Sequence, residues 1–173
     1  MRPPLHVIDT PATGRLATMA HPRGGAWLAD DMAALAALAF HMLVSALTDD
    51  EYDRLALAGV ADAARAAGLD YVAFPIADRG VPEPGPAVGE LADRLATELR
   101  AGRSVVIHCW AAIGRSSLLA AATLVRLGVA PAEAWRRISA ARGLAVPDTP
   151  VQHAWLDDFA TGRHTAPWLR RVR

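Results

Sequence analysis

The chain has 173 residues, of which 53% are hydrophobic, and its 18 basic and 18 acidic residues give a formal net charge of zero. This length is sufficient for one domain with a buried core, which we expect over residues 1–173 with its core at about 15–160. The balanced charge, without a basic stripe or an acidic tail, argues against nucleic acid as a partner. The longest apolar stretch, 32–47, is interrupted by His41 and is shorter than the ~20 residues that span a bilayer, so no membrane partner is expected.

Composition also bears on compartment and cofactors. A single cysteine excludes an internal disulfide and fits a reducing compartment. Residues 1–4 lead into no apolar segment of the secretory kind, so we predict a cytoplasmic protein. The chain lacks lysine and asparagine and is rich in alanine and arginine, as is typical of GC-rich bacterial genomes. The histidines have no paired ligand spacing, so we expect no metal and no other cofactor.

Apolar periodicity predicts strands that alternate with helices along the chain. Strands are predicted at 15–19, 42–47, 71–76 and 105–107. Helices are predicted at 26–40, from 48, at 60–67, from 86 to just before 102, from 115, at 131–142 and at 150–160. The alternation predicts an α/β fold with a mainly parallel central sheet covered by helices on both faces, whose ligands bind at the carboxyl ends of the strands.

Some side chains have specific expected places in these helices. Thr48 and Glu51 form a capping-box pattern, with the threonine at the N-cap and the glutamate three residues later. The 26–40 helix is predicted to turn Leu38 towards the core. The 150–160 helix is predicted to carry Val151 on its buried side together with Trp155 and Phe159.

The most informative stretch runs from Ser104 to Leu119. Its β-branched run predicts a buried strand, residues 109–114 are a turn of mostly small residues, and a helical pattern starts at Arg115. Cys109 therefore lies between a strand end and a helix N-terminus, whose free N–H groups favour phosphate. The same field favours the nucleophilic thiolate form of Cys109. Arg115 opposes the helix dipole, and forked hydrogen bonds to a phosphate would explain its position.

This stretch resembles the signature of the cysteine-dependent protein tyrosine and dual-specificity phosphatases, with His108-Cys109, five residues, then Arg115-Ser116. The resemblance implies that Cys109 attacks phosphorus to form a phosphocysteine, and that Ser116 helps the thiolate to leave. It implies that His108 supports the cysteine through hydrogen bonds in the loop. His108 also fits a satisfied core histidine, and the two interpretations are compatible. The backbone amides implied to hold the phosphoryl oxygens together with Arg115 belong to Trp110, Ala111, Ala112, Ile113 and Gly114.

Asp78 follows the predicted strand 71–76 on a loop rich in proline and glycine. From local sequence alone, this aspartate fits the start of a turn. In the phosphatase family, however, the general acid lies on a mobile loop about thirty residues before the cysteine, which implies that Asp78 protonates the leaving oxygen. The segment from Pro75 to Asp78, followed by Gly80 and Pro82, resembles in particular the kinase-associated phosphatases, which dephosphorylate threonine on cyclin-dependent kinases.

The segment from Asp148 to Gln152 resembles the Gln-Thr-x-x-Gln stretch that orients the hydrolytic water in tyrosine phosphatases, with Asp148 at the first position. The resemblance implies that Gln152 positions this water. Thr149 at the N-cap, Pro150 at N1 and Gln152 at N3 would also make a good helix start without any catalytic role. Both interpretations remain open from the sequence.

Two positions in the Cys109–Arg115 loop depart from the family pattern. Family loops usually carry glycine where Ala112 stands, and alanine adopts a positive φ poorly. Trp110 is bulky for the position after the cysteine. Neither departure removes a reacting group, but both bear on the loop geometry and the catalytic rate.

The predicted function is hydrolysis of phosphomonoesters through a phosphocysteine intermediate. The expected partner is a protein phosphorylated on tyrosine, threonine or serine, or a small phosphoester. A catalytically slow phosphate-binding module is the first alternative, because of Ala112. A rhodanese-like or arsenate-reductase-like enzyme is the second, and the Arg115-Ser116 pair and the Asp78 loop argue against it.

Overall fold

One five-stranded sheet, in the order β1-β2-β5-β3-β4, organises the computed structural model, which describes residues 3–163. β1 runs antiparallel to β2, and all the other neighbouring strands are parallel. The strands are β1 His6–Ile8, β2 Leu16–Met19, β3 Met42–Ser45, β4 Asp70–Ala73 and β5 Val105–His108. The predicted 1–173 domain includes residues 1–2 and 164–173, which lie outside the described residues.

Helices cover both faces of this sheet, as predicted. One face packs against α1 and α3, and the other packs against α4 to α7. The helices are α1 Leu28–Ala37, α2 Asp49–Arg54, α3 Val60–Ala66, α4 Ala87–Arg100, α5 Arg115–Arg126, α6 Pro131–Arg142 and α7 Pro150–Ala160, with a short 3₁₀ turn at Gly25–Trp27. Between residues 3 and 163, none of the helices has the length and apolar character needed to cross a bilayer.

The central strand β5 is buried on both faces, which explains its uninterrupted run of apolar residues. Successive strand side chains point to opposite faces, so Val105 and Ile107 join the core beneath α4 to α7 while Val106 joins the core on the α1 side. All three are fully buried. Burial of each such side chain contributes about 1.5–3 kcal/mol, which fixes the strand that leads to Cys109.

Two strands differ most from the prediction, while the bounds of the other three agree within two residues. β1 was not predicted, because three residues at the edge of the sheet are too few to show an alternating pattern. β4 covers 70–73 and not the predicted 71–76. The N–H groups of Phe74 and Ile76 still donate to carbonyls of Ser45 and Ala46, but Pro75 has no N–H to donate and interrupts the ladder.

Two side chains predicted to be buried are exposed. Leu38 is 51% exposed because α1 ends at Ala37 and the next turn leaves the helical path, with Ala39 at a φ of 57°. Val151 is 46% exposed. The buried stripe of α7 runs through Gln152, Trp155, Leu156 and Phe159, and Val151 falls beside it.

Candidate active site

The segments that follow three neighbouring parallel strands meet at one edge of the sheet. β5 leads into Cys109, β3 leads into Glu51 on α2, and β4 leads into Asp78. These residues line a cavity of about 500 Å³ together with Arg115. Further side chains in its wall are Thr48, Asp50, Arg54, Arg79, Trp110 and Asp148. The position agrees with the rule that ligands of α/β sheets bind at the carboxyl ends of strands.

The turn between β5 and α5 brings Cys109 and Ser116 together. Cys109 is 3% exposed, and its Sγ lies 3.2 Å from Oγ of the fully buried Ser116. α5 begins at Arg115 with Gly114 as its N-cap residue, so the turn ends at free N–H groups of the helix. The structure therefore brings the predicted nucleophile, the predicted serine and a helix N-terminus to one point.

Arg115 is held by a buried carboxylate. Its Nη1 and Nη2 donate to Oε2 and Oε1 of Glu51 at 2.6 and 2.8 Å, and Nη1 also donates to the carbonyl of Ile76 at 3.0 Å. Burial is the largest single influence and opposes the charge of Arg115, but the hydrogen bonds to Glu51 and the nearby Cys109, Glu51 and Asp78 together raise the pKa of the guanidinium. Burial is likewise the largest single influence and favours neutral Glu51, but the hydrogen bonds from Arg115 and Thr48 together with the charge of Arg115 lower the pKa of this carboxyl. Both groups therefore remain charged.

Glu51 belongs to the candidate site but was not predicted there, although its capping-box pattern was visible in the sequence. The predicted capping box is confirmed, with the Thr48 N–H donating to Oε2 of Glu51 at 2.9 Å. The same oxygen accepts from Arg115, so one carboxylate caps α2 and fixes the arginine. The available signal was a glutamate shortly after the carboxyl end of a strand. Its role in the capping box already accounted for its position, so no second role was predicted.

Asp78 lies beside the guanidinium, on the exposed loop after β4. Its Oδ1 is 3.4 Å from Nη2 of Arg115, and its side chain is 74% exposed. The chain turns immediately afterwards, with Arg79 at a φ of 58° and the Gly80 N–H donating to the Ala77 carbonyl. Asp78 therefore lies in a turn, as the local sequence suggested, and also at the cavity, as the family resemblance implied.

Gln152 and Asp148 occupy different places. Gln152 is fully buried, and its Nε2 donates to the carbonyl of Gly80 at 2.8 Å, which ties the Asp78 loop to α7. Asp148 lines the cavity and forms an ion pair with Arg79 at 3.7 Å. A Cβ on Gly114 would lie 2.5 Å from Oδ1 of Asp148 and 3.0 Å from Nε2 of Gln152, so this glycine provides the space for both. The helix-start interpretation is confirmed, because Thr149 Oγ1 accepts from the Gln152 N–H.

The two unusual loop residues have clear structural consequences. Ala112 is fully buried and has a φ of 57°, a conformation that costs alanine about 1 kcal/mol or more. Trp110 forms one wall of the cavity, with the Arg54 guanidinium 4.9 Å from its ring centre and the His21 ring 5.8 Å away on an edge.

His108 is neutral and enclosed. Burial lowers its pKa to about 3, although the neighbouring Cys109 backbone opposes this shift. Among the described residues, neither ring nitrogen has a hydrogen-bond partner of normal geometry. The structure thus places His108 in the core, and its support of the cysteine loop stays a prediction.

A mostly parallel sheet with a cysteine–arginine turn after its central strand is the protein tyrosine phosphatase fold. A solved kinase associated phosphatase, whose catalytic-site cysteine is replaced by serine, superposes with a TM-score of 0.84 at 22% identity, over 94% of this chain and 97% of that one. The fold class predicted from the sequence is confirmed.

Sequence comparison identifies the family. The family model described as cyclin-dependent kinase inhibitor 3 matches residues 28–134, and the chain belongs to this family. It is 36% identical to the rat protein of that name over 87 residues (49% of this chain and 41% of the rat protein). It is 30% identical to the human one over 114 residues (65% and 53%). The chain thus matches about half the length of these relatives, and the family match includes Cys109 and Asp78 but not Gln152.

Proposed function

We propose that this chain is a phosphomonoester hydrolase that works through a phosphocysteine intermediate. The observation that carries the proposal is the common cavity of Cys109, Arg115 and Asp78, in which one arginine lies 3.4 Å from the aspartate. The family assignment supports it further, and gives no support to the rhodanese-like alternative.

In the first half-reaction, the Cys109 thiolate attacks phosphorus, so that an S–P bond forms as the P–O bond to the leaving group breaks. Arg115 and the backbone amides of residues 110–115 bind the equatorial oxygens, whose charge is best stabilised by donors fixed in advance. The contact with Glu51 supplies that fixation for Arg115. Asp78 gives its proton to the departing oxygen.

In the second half-reaction, water attacks the phosphocysteine, the S–P bond breaks, and inorganic phosphate and the thiolate are released. Ser116 Oγ, 3.2 Å from Sγ, donates a hydrogen bond to the thiolate as it forms. Asp78, deprotonated after the first half-reaction, accepts the proton of the attacking water. Gln152 acts through the Asp78 loop that it holds, or positions the water as the family resemblance implies.

The substrate we propose is a phosphorylated protein, with phosphothreonine, phosphotyrosine and phosphoserine as the candidate residues. Small phosphoesters are a further candidate class of substrate. One assay panel that contains both classes distinguishes them from phosphoproteins. Hydrolysis of p-nitrophenyl phosphate by the purified chain, without added metal, tests the reaction. Phosphate release from phosphothreonine and phosphotyrosine peptides and from phosphometabolites then ranks the substrates. Absence of turnover on every member of the panel would refute the proposed reaction.

A phosphate-binding module with little turnover is the second candidate, favoured by the positive φ of Ala112. Such a module binds tungstate, a phosphate-like oxyanion, at the loop and hydrolyses none of the panel. Calorimetric titration with tungstate beside the turnover assay distinguishes it from the enzyme.

Asp78→Asn is expected to have an effect that depends on the leaving group. The alkoxide of phosphothreonine is strongly basic and needs the proton, so turnover should fall by about 10²–10⁴-fold. An aryl leaving group of low pKa needs little help and should lose much less. The basic limb of the pH–rate profile should also flatten, since the acid whose ionisation causes it has been removed. Steady-state rates on the two substrate types, measured across pH, check both effects.

Asp148→Asn is the matched control, because it removes a second carboxylate from the same cavity. It should reduce the rates on both leaving groups by similar factors. If Asp78→Asn also lowers both rates equally and leaves the basic limb unchanged, Asp78 is a turn residue and the acid lies elsewhere.

A further inference from the structure

The carbonyl groups of the phosphate-binding loop are held from outside the cavity. The Trp110 carbonyl accepts from the His21 N–H at 3.3 Å. The next two carbonyls, of Ala111 and Ala112, accept from one side chain, Arg142, through Nη2 at 3.3 Å and Nε at 3.0 Å. Three consecutive peptide groups of the loop thus have their oxygen atoms fixed by distant segments.

The carbonyl directions determine where the amides point. In a planar trans peptide, the C=O of one residue and the N–H of the next point in opposite directions. Arg142 therefore sets the direction of the N–H groups of Ala112 and Ile113, which belong to the loop that closes the cavity. Reversal of either peptide would turn a carbonyl oxygen towards a bound dianion.

The loop needs such a restraint because of Ala112. A left-handed backbone is strained for alanine, and a loop free to relax would turn residue 112 to a negative φ and reorient its peptide groups. Arg142 is well placed to prevent this. It is the last residue of α6 and partly buried, and among the described residues no carboxylate lies within ion-pair distance of it, so none competes with the two carbonyls for its Nε and Nη2 donors.

We infer that Arg142 is a positioning residue, which holds the strained loop in the conformation that binds phosphate. It touches neither Cys109 nor the cavity and acts through the peptide groups of Ala111 and Ala112. The inference rests on the proposed function only in that the loop binds a phosphate-like oxyanion.

Calorimetric titration with tungstate, together with thermal melting, tests this role without requiring turnover. Arg142→Ala should weaken tungstate binding by about 10- to 100-fold, as expected for two hydrogen bonds from a charged donor. Arg142→Lys keeps the charge but loses the fork, and should recover only a minor part of the affinity. Arg136→Ala is the matched control, because it removes a charge from the same helix without touching the loop, and should bind as the unmodified chain does.

A double-mutant cycle with Ala112→Gly gives the decisive result. Glycine accepts the left-handed conformation without strain, so Arg142→Ala should cost clearly less affinity in the Ala112→Gly background than in the unmodified chain. An equal or larger loss in the Ala112→Gly background, full affinity in Arg142→Lys, or an equal loss in Arg136→Ala would overturn the inference. A lower melting temperature with unchanged tungstate affinity would show a merely structural arginine. Absence of tungstate binding by the unmodified chain would also overturn the inference, whereas absence of turnover alone would refute the proposed hydrolysis and leave the inference standing.

Discussion

Cys109→Ser is expected to abolish hydrolysis of p-nitrophenyl phosphate, a loss of at least about 10⁴-fold, while tungstate still binds. The serine hydroxyl stays protonated near neutral pH and is a poor nucleophile. The binding groups remain, namely the loop amides and Arg115. Binding should even tighten slightly, because a dianion no longer meets a thiolate. Turnover and calorimetry on the same preparation check both parts.

Arg115→Lys is the complementary variant. It keeps the thiol and the charge but loses the fork that pairs with Glu51, so both turnover and tungstate affinity should fall. Appreciable turnover in Cys109→Ser would rule out the phosphocysteine route. Loss of tungstate binding in that variant would instead show that the loop does not keep its shape without the sulfur.

Glu51→Gln is expected to reduce both stability and activity strongly. Glu51 and Arg115 are 7% and 2% exposed, and removal of one partner of a buried pair leaves the other charge uncompensated, at a cost of about 3–5 kcal/mol. Without Glu51 the Arg115 guanidinium is no longer held in place. kcat/KM should therefore also fall by about 100-fold, as expected when a catalytic group is misplaced. Denaturant unfolding and p-nitrophenyl phosphate kinetics measure the two losses.

The pH dependence of the free energy of unfolding provides a second test of the Glu51–Arg115 pair. The folded-state pKa of Glu51 is lowered, so its contribution is present above its ordinary value of 4.5 and is lost as the pH falls through the lower folded value. The free energy of unfolding of Glu51→Gln should therefore fall less steeply below that pH than that of the unmodified chain. Glu133→Gln, which removes a surface partner of Arg136 and Arg137, is the control and should unfold almost as the unmodified chain does. Equal losses in the two variants would contradict the buried-pair argument.

The sequence predicted the parts of the candidate site that are contiguous in the chain. A buried strand, a turn and a helix start are each written in a few neighbouring residues, so local patterns were enough to place Cys109 and Arg115. Asp78 needed the family resemblance, because its immediate neighbours fit an ordinary turn equally well.

The residues that hold the site could not be predicted in this way. Glu51 lies 64 positions from Arg115, and Arg142 lies 30 positions from Ala112. No local pattern reports a contact between segments that only the sheet and its helices bring together. The capping box explained Glu51 completely from local sequence, and Arg142 looked like an ordinary basic residue in the last turn of a helix.

All three segments that carry the candidate site leave the sheet at one edge, so the opposite edge carries none of these residues. The turns that lead into β4 and β5, around Gly68 and Gly102, are exposed and lie at the opposite ends of these four-residue strands, roughly 13 Å away along the strand direction. Exposed turn tips are also where chains best tolerate inserted segments. A linker placed between Ala101 and Gly102 would therefore tether the protein to a bead or sensor surface with its cavity open to the solution.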